Sequence, residues 1–357
     1  MTGSAERDPS GDGDFLPFDV FMEQALYSPD GGFYHRDAAV IGPKGEYYTA
    51  PQASPLYAKT FAGRIERALH DLPSSPAPEI VEVGPGDGLL AAGIIAELGR
   101  RPQIAAGLTY RLVDRATPRL EESFRAAQRA SAATTVQVRR GTSLGADGPF
   151  RGVVILHELL DAQPVRRFEV SHGAWGELGV SASESRWVAK RRCPTHLPPA
   201  MPEPGGLEEG TIAEVAPAAE SLLRDVADHL VDGVAIVVDY GMEEDELLRG
   251  HPGGTLQGLR GHRFVEDPLA NGGPRDLSVF VNWTRLRRAA ERAGLRPIAD
   301  ESLANALGAW GIEPLARAAQ PAAPAPEESV RLQLGLKNLL FGFERFRVLE
   351  FVVGSRS

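Results

Sequence analysis

A single cysteine, Cys193, stands in 357 residues. No intrachain disulfide can form, and a thiolate cage for zinc or an iron–sulfur cluster is excluded. The histidines are scattered without metal-ligand spacing, and no nucleophile–histidine–acid triad is visible. No apolar run approaches the ~20 residues that a bilayer-spanning helix needs. The opening residues, MTGSAERDPSGDGD, have neither a basic start nor an apolar stretch. They read as a short disordered tail rather than a secretory signal. No internal repeat is present. One cysteine and no signal fit a reducing compartment, and the expected location is cytoplasmic.

Positive charge is also in deficit. The formal net charge is −10, which opposes non-specific affinity for nucleic acid or an anionic membrane and suits a cationic target. Apolar residues make up 43 % and charged residues 24 % of the chain, so a folded core is within reach. The length allows two domains or one enlarged α/β domain.

Along the chain, apolar spacing predicts helices over residues 18–27 and 56–70. An irregular Gly- and Tyr-rich stretch separates them. The period then changes. Residues 79–83 form a short strand ending in a glycine loop, with a helix over 89–98. Strands follow at 109–113, 135–138 and 153–156, with a helix over 117–131. Residues 212–230 carry an amphipathic pattern that predicts one helix, with Gly233 as its C-cap, and 234–238 form the next buried strand. Strands alternating with helices predict a Rossmann-like, doubly wound α/β fold with a mainly parallel sheet. A helix at 283–294, an Ala/Pro-rich break near 317–326, a helix at 328–341 and a strand at 346–353 complete it. The expected division is a tail (1–14), an N-terminal extension (15–75) and a ligand-binding core (76–245) with an inserted hairpin at 165–210. A Gly-rich insertion (246–281) and a C-terminal part (282–357) follow.

The strongest local signal is Val81-Glu82-Val83-Gly84-Pro85-Gly86-Asp87-Gly88 at a strand-to-helix junction. Glycines there let the backbone turn tightly and approach a ligand, and the following helix presents free N–H groups. The spacing is GxGxG rather than the GxGxxG of dinucleotide folds, and Pro85 removes a donor that a pyrophosphate would want. A ligand with an amino-acid tail and a sulfonium centre needs less anion-cradling, and Glu82 suits its ammonium group. Asp114, ending the next strand, is placed to accept ribose hydroxyls, or else to cap a helix; Arg115 beside it could flank an adenine.

The loop after the fourth strand runs His157-Glu158-Leu159-Leu160-Asp161-Ala162-Gln163-Pro164-Val165. Ligands of open α/β sheets bind beyond the carboxyl ends of strands. Carboxylates three residues apart there could orient a nucleophilic nitrogen or hold a guanidinium in a bidentate fork. The plain alternative is a turn cap at Asp161 and a solvated Glu158. His157 reads as a supporting residue.

Taken in order, YSPDGGFY, GEYYTAP, VEVGPGDG, HELLDAQPV, VVDYG and GTLQGLRGHRFVEDPLANGGPRDLS resemble the MidA-like methyltransferase family. Its mitochondrial members act as protein arginine methyltransferases in respiratory complex I assembly. The resemblance implies S-adenosyl-L-methionine as cofactor, with Glu82, Gly84, Pro85, Gly86, Gly88 and Asp114 around it, His157 nearby, and Thr49 and Pro51 packed over it. It implies catalytic roles for Glu158, Asp161 and His262, and a Gly-rich insertion carrying His262 and Asp276 closed over the substrate. Glu46 stands where aspartate is usual. In DLSVFVNW, Phe280 and Asn282 replace a histidine and an aspartate of the family pattern, a change expected near the substrate mouth that favours the runner-up reading, a small-molecule N- or O-methyltransferase on the same fold. The expected partner is a methyl-acceptor protein or small molecule. A non-catalytic cofactor-binding assembly factor and an NAD(P)-dependent oxidoreductase are the other readings; GxGxG with Pro85 disfavours the latter.

Overall fold

The computed structural model describes residues 15–36, 49–73, 77–183, 186–261, 263–269, 276–319 and 326–353. The expected tail at 1–14, Glu46 and His262 lie outside them. The centre is one twisted sheet whose main strands are β1 (Glu79–Val83), β2 (Thr109–Val113), β3 (Gln137–Gly141), β4 (Phe150–His157), β5 (Leu230–Met242), β6 (Leu295–Ser302) and β7 (Phe346–Val353). Their spatial order is β6-β7-β5-β4-β1-β2-β3. β1 to β5 run parallel, while β7 is antiparallel to both β5 and β6.

Alternation along each strand divides the core between two faces. Ile80, Tyr110, Val153, Ile155, Ile236 and Val238 pack against helices Pro55–His70, Leu89–Leu98 and Leu303–Trp310. Val81, Val113, Val154, Leu156, Ala235 and Val237 pack against helices Pro217–His229 and Trp283–Arg292. Strands buried on both faces read as continuous apolar runs, which is why β4 and β5 stand out in the sequence.

Several expectations change. Residues 212–230 are not one helix: Ile212–Val215 is a strand paired with Arg166–Ser171, and the helix begins at Pro217. A proline at the first helical position forfeits no helical hydrogen bond. Gly233 is no C-cap. It lies inside β5 opposite Gly152 of β4, which in turn lies opposite Glu79 of β1. At φ of 130° and 145°, a Cβ on either glycine would fall 1.8 Å from the neighbouring strand's carbonyl oxygen. Two glycines thus let three strands start side by side.

The segment 165–210 holds more than a hairpin. Strand Ala174–Ser183 pairs with Arg166–Ser171, Arg186–Arg192 and Leu16–Pro17, forming a five-stranded antiparallel sheet with Ile212–Val215. Glycines at 176 and 179 argue against a strand on propensity. Yet a Cβ on Gly179 would lie 2.3 Å from the Leu16 carbonyl oxygen, so close approach requires glycine there. Residues 242–281 contain helix Glu244–Gly250 and a small sheet of Gln257–Arg260, Arg263–Phe264 and Asp276–Ser278. β6, with Pro297 and a register shift beside it, is an edge strand, where proline is tolerated.

Gly152→Ala should destabilise the protein by about 3 kcal/mol or more, because the added methyl meets backbone rather than a movable side chain. Urea titration of the two proteins measures it, and an unshifted midpoint would refute the close-approach argument.

Candidate active site

The sheet order reverses between β1 and β4, and ligands of doubly wound folds bind outside the carboxyl ends of strands at such a point. A cavity of about 510 Å³ lies there. Gly84, Pro85, Gly86 and Asp87 after β1 form its floor, with Asp114 and Arg115 after β2, Thr142, Ser143 and Leu144 after β3, and His157, Glu158 and Leu159 at the end of β4. Tyr27, Tyr34, Thr49 and Pro51 of the N-terminal extension and one side of helix Pro217–His229 close it.

The glycine loop alternates left-handed residues, with φ of 68°, 56° and 78° at Gly84, Gly86 and Gly88. A β-branched residue is strongly disfavoured in that region. The three glycines do different work. Gly84 and Gly86 border the cavity. Gly88 does not; a Cβ there would lie 2.7 Å from the Ser123 Cα, so it serves the packing of helix Leu89–Leu98 on helix Thr117–Ser131. Asp87, just before the Gly88 cap of the first of these, accepts on Oδ1 from the Leu89 N–H at 3.0 Å, while its Oδ2 accepts from Gln52 Nε2 at 3.2 Å.

Acids dominate the chemistry. Glu82 is buried and accepts from the Tyr110 hydroxyl at 2.6 Å. Burial, with nearby Asp87 adding to it, pushes its carboxyl up to about 8. Glu158 has a side chain only 12 % exposed, and its Oε1 accepts from the Ala50 N–H at 2.8 Å. Burial raises it to about 8 as well, with Asp161 and Asp87 acting in the same direction. Asp114 is raised to about 6 by burial, although its Oδ1 accepts from the Ala116 N–H at 2.7 Å. That bond realises the turn-capping alternative while leaving Asp114 at the cavity wall. His157 is lowered to about 3 by burial, hence neutral, and its Nε2 lies 2.7 Å from the Tyr57 hydroxyl.

Glu158 also has φ of 48°, unusual for a residue with a Cβ, a conformation that costs on the order of 1–3 kcal/mol and persists only when its surroundings enforce it. Beside this turn stands Asp239, inside β5 where its apolar run ends. It is fully buried and accepts from the N–H groups of Leu159, Leu160 and Asp161 on Oδ2 at 3.1, 2.8 and 3.3 Å, and from its neighbour Tyr240 on Oδ1 at 2.9 Å.

The sequence-derived site is therefore only partly assembled at the cavity. Thr49, Pro51, Glu82, Gly84, Pro85, Gly86, Asp114, His157 and Glu158 border it, while Asp161 does not. The Asp161 carboxyl is instead engaged by Tyr240, next to Asp239, and burial raises it to about 6. Asp276 does not line the cavity either, but it accepts at 2.9 Å from the hydroxyl of Tyr34, which does. The DLSVFVNW departures do not reach the cavity, contrary to expectation. Phe280 packs on Tyr240 and His251, and Asn282 Oδ1 caps helix Trp283–Arg292 by accepting from the Arg285 N–H at 3.0 Å. Arg115 lies with its guanidinium 3.4 Å from the Tyr27 ring centroid, paired with Glu23. Sequence reasoning missed Tyr27, Tyr34, Asp87 and Asp239. Asp87 was visible as the acid inside the glycine loop, and Asp239 as the acid ending the apolar run of β5. Among the described residues, no group of three or more His, Cys, Asp and Glu could hold a metal ion.

Buried carboxylates around one cavity disfavour a pyrophosphate and favour a cation. With the glycine cradle and an acid ending β2, this sheet defines the class of S-adenosyl-L-methionine-dependent methyltransferases. The comparisons agree. Residues 62–299 match the model of the Methyltransf_28 family of S-adenosyl-L-methionine-dependent methyltransferases, and the chain belongs to that family. A Burkholderia thailandensis protein solved bound to S-adenosyl-homocysteine is 27 % identical with a TM-score of 0.84, covering 97 % of this chain and 89 % of that one. The protein arginine methyltransferase NDUFAF7, mitochondrial, of Mus musculus is 26 % identical over 81 % of this chain and 70 % of its own length. The Drosophila melanogaster homologue is also 26 % identical, over 78 % and 67 %. The protein is thus an enzyme that uses S-adenosyl-L-methionine. The expectation of a cytoplasmic location does not stand, since both curated relatives are designated mitochondrial. No described helix is long and apolar enough to cross a membrane.

Two outcomes follow from this geometry. Gly86→Val should lower affinity for S-adenosyl-L-methionine at least about 100-fold, because valine resists the left-handed backbone at the floor; unchanged affinity by calorimetry would displace the cofactor from this loop. Glu82 and Glu158 are raised from 4.5 to about 8, so the folded chain holds protons that the unfolded chain releases. Their contribution to stability is complete below about pH 4.5 and is lost as pH rises through about 8. The unfolding midpoint of the ligand-free protein should fall across that window, and Glu82→Gln should flatten the fall; a slope unaltered by the substitution would contradict the burial argument.

Proposed function

We propose that the enzyme methylates an arginine side-chain nitrogen of a protein. The observation that carries this is Glu158, a buried, backbone-anchored carboxylate at the cavity wall beside His157. The names of the curated relatives, protein arginine methyltransferases, support the same substrate. The absence of the DLSVFVNW departures from the cavity removes the argument for a small-molecule acceptor.

Gly84, Pro85 and Gly86 would cradle the cofactor, Glu82 would hold its amino-acid end and Asp114 its ribose, with Thr49 and Pro51 covering it. When bound, S-adenosyl-L-methionine supplies an electrophilic methyl group on a sulfonium. Glu158 accepts hydrogen bonds from the incoming guanidinium, turning one nitrogen toward the cofactor, since methyl transfer depends above all on positioning. Burial raises its proton affinity to about 8, and the charge of an approaching guanidinium favours the ionised form that can take the nitrogen's proton. The neighbouring imidazole of His157 stays neutral and adds no positive charge that would compete with the substrate's guanidinium.

Incubation with methyl-labelled S-adenosyl-L-methionine and arginine-rich or lysine-rich peptides, followed by amino-acid analysis, tests this. Methylarginine is expected from the first only. Glu158→Gln should lower kcat at least about 100-fold while changing cofactor affinity little. Tight cofactor binding with no methyl transfer to either peptide, or transfer to lysine, would overturn the arginine reading.

A further inference from the structure

Asp239 does not itself line the cavity, yet the acidic loop after β4 hydrogen-bonds to it. The Glu158 N–H makes the last ladder bond to β5, donating to the Val238 carbonyl at 2.8 Å. One residue on, β5 continues along β7, but its pairing with β4 ends, and on that side Asp239 offers a carboxylate. Consecutive N–H groups of Leu159, Leu160 and Asp161 all turn toward its Oδ2. Three successive donors aimed at one oxygen form a concave nest, and such a curl needs its entry residue in the left-handed region, where Glu158 is found. The Glu158 carboxylate then receives the Ala50 N–H, fixing beside it the segment that supplies Thr49 and Pro51 to the cavity.

We propose that Asp239 is a positioning residue: through the three backbone N–H groups it holds, it sets the place of the Glu158 carboxylate and, through Glu158, docks the Thr49–Pro51 wall. This rests on the role given to Glu158 above. Tyr240, which donates to Asp161, supports the underside of the same loop. A side chain acting only as generic core would leave Glu158 and Ala50 independent of one another.

Hydrogen exchange tests the coupling without any methyl acceptor. In the unaltered protein the amides of Leu159, Leu160 and Asp161 should exchange as slowly as those of the β4–β5 ladder. In Asp239→Asn the amide of Ala50 should lose at least about tenfold protection, as it does in Glu158→Ala. Glu177→Gln is the control: Glu177 is equally buried, held by Arg166 and Arg192 in the accessory sheet, and should leave Ala50 unchanged. With an arginine peptide, Asp239→Asn should lower kcat by about 30-fold, and adding it to Glu158→Gln should cost less than about twofold more. Unchanged Ala50 exchange, fast exchange at residues 159–161 in the unaltered protein, or losses that multiply in the double variant would each overturn the proposal. Intact Ala50 coupling without arginine methylation would sink the substrate and leave Asp239 in its role. Should Asp239→Asn not fold, Asp239→Ser, which keeps one acceptor oxygen, carries the same comparison.

Discussion

A buried carboxylate that gathers four backbone N–H groups is the joint on which the ligand end of this sheet depends. Asp239 lies inside β5 where its apolar run ends; burial and the nearby Asp161 push its carboxyl well above the usual carboxylate range, and a polar group so deeply buried is tolerable because donors converge on it. The donors come from the loop after β4, so satisfying Asp239 and shaping the loop are one event. Glu158 takes a left-handed conformation as a result, and its carboxylate reaches the Ala50 N–H of the N-terminal extension. Sheet, loop and cover are thereby tied together through hydrogen bonds at the cavity's rim.

The second constraint is electrostatic. Glu82, Asp87 and Glu158 border one cavity; burial raises the proton affinity of the two glutamates, and the charge of Asp87 adds to both. Such a cluster is costly in an empty, low-dielectric site and is relieved by a cation. A sulfonium and an ammonium on one ligand, and a guanidinium approaching it, are the charges that this arrangement relieves. A pyrophosphate would meet repulsion, and Pro85 withholds one of the donors it would need.

Much of this was legible in the sequence, for physical reasons that differ by region. β1, β2 and β7 and helices Phe18–Tyr27, Leu89–Leu98 and Thr117–Ser131 follow local apolar periodicity, so their boundaries agree with expectation. Strand Ala174–Ser183 and β6 do not, because glycine and proline there serve close packing and an edge position that only the neighbouring chain reveals. Gly233 is instructive: as a glycine after an amphipathic stretch it resembles a C-cap, but its need for glycine comes from the Gly152 carbonyl across the ladder. In the site, the glycine loop and Glu158 were readable as local motifs. The different burdens of Gly84, Gly86 and Gly88 were not, nor was the withdrawal of Asp161 to Tyr240, since both depend on helices and strands distant in sequence. Asp239 was visible as a residue but not as a hub, because its partners lie about 80 residues away.

Calorimetric titration of the purified protein with S-adenosyl-L-methionine, with NADH in parallel, tests most directly whether this acidic, glycine-floored cavity is a cation-bearing adenosyl site. Saturable one-to-one binding of the first, abolished by Gly86→Val, and no heat from NADH is the predicted result. Binding of NADH, or S-adenosyl-L-methionine binding that survives Gly86→Val undiminished, would contradict it.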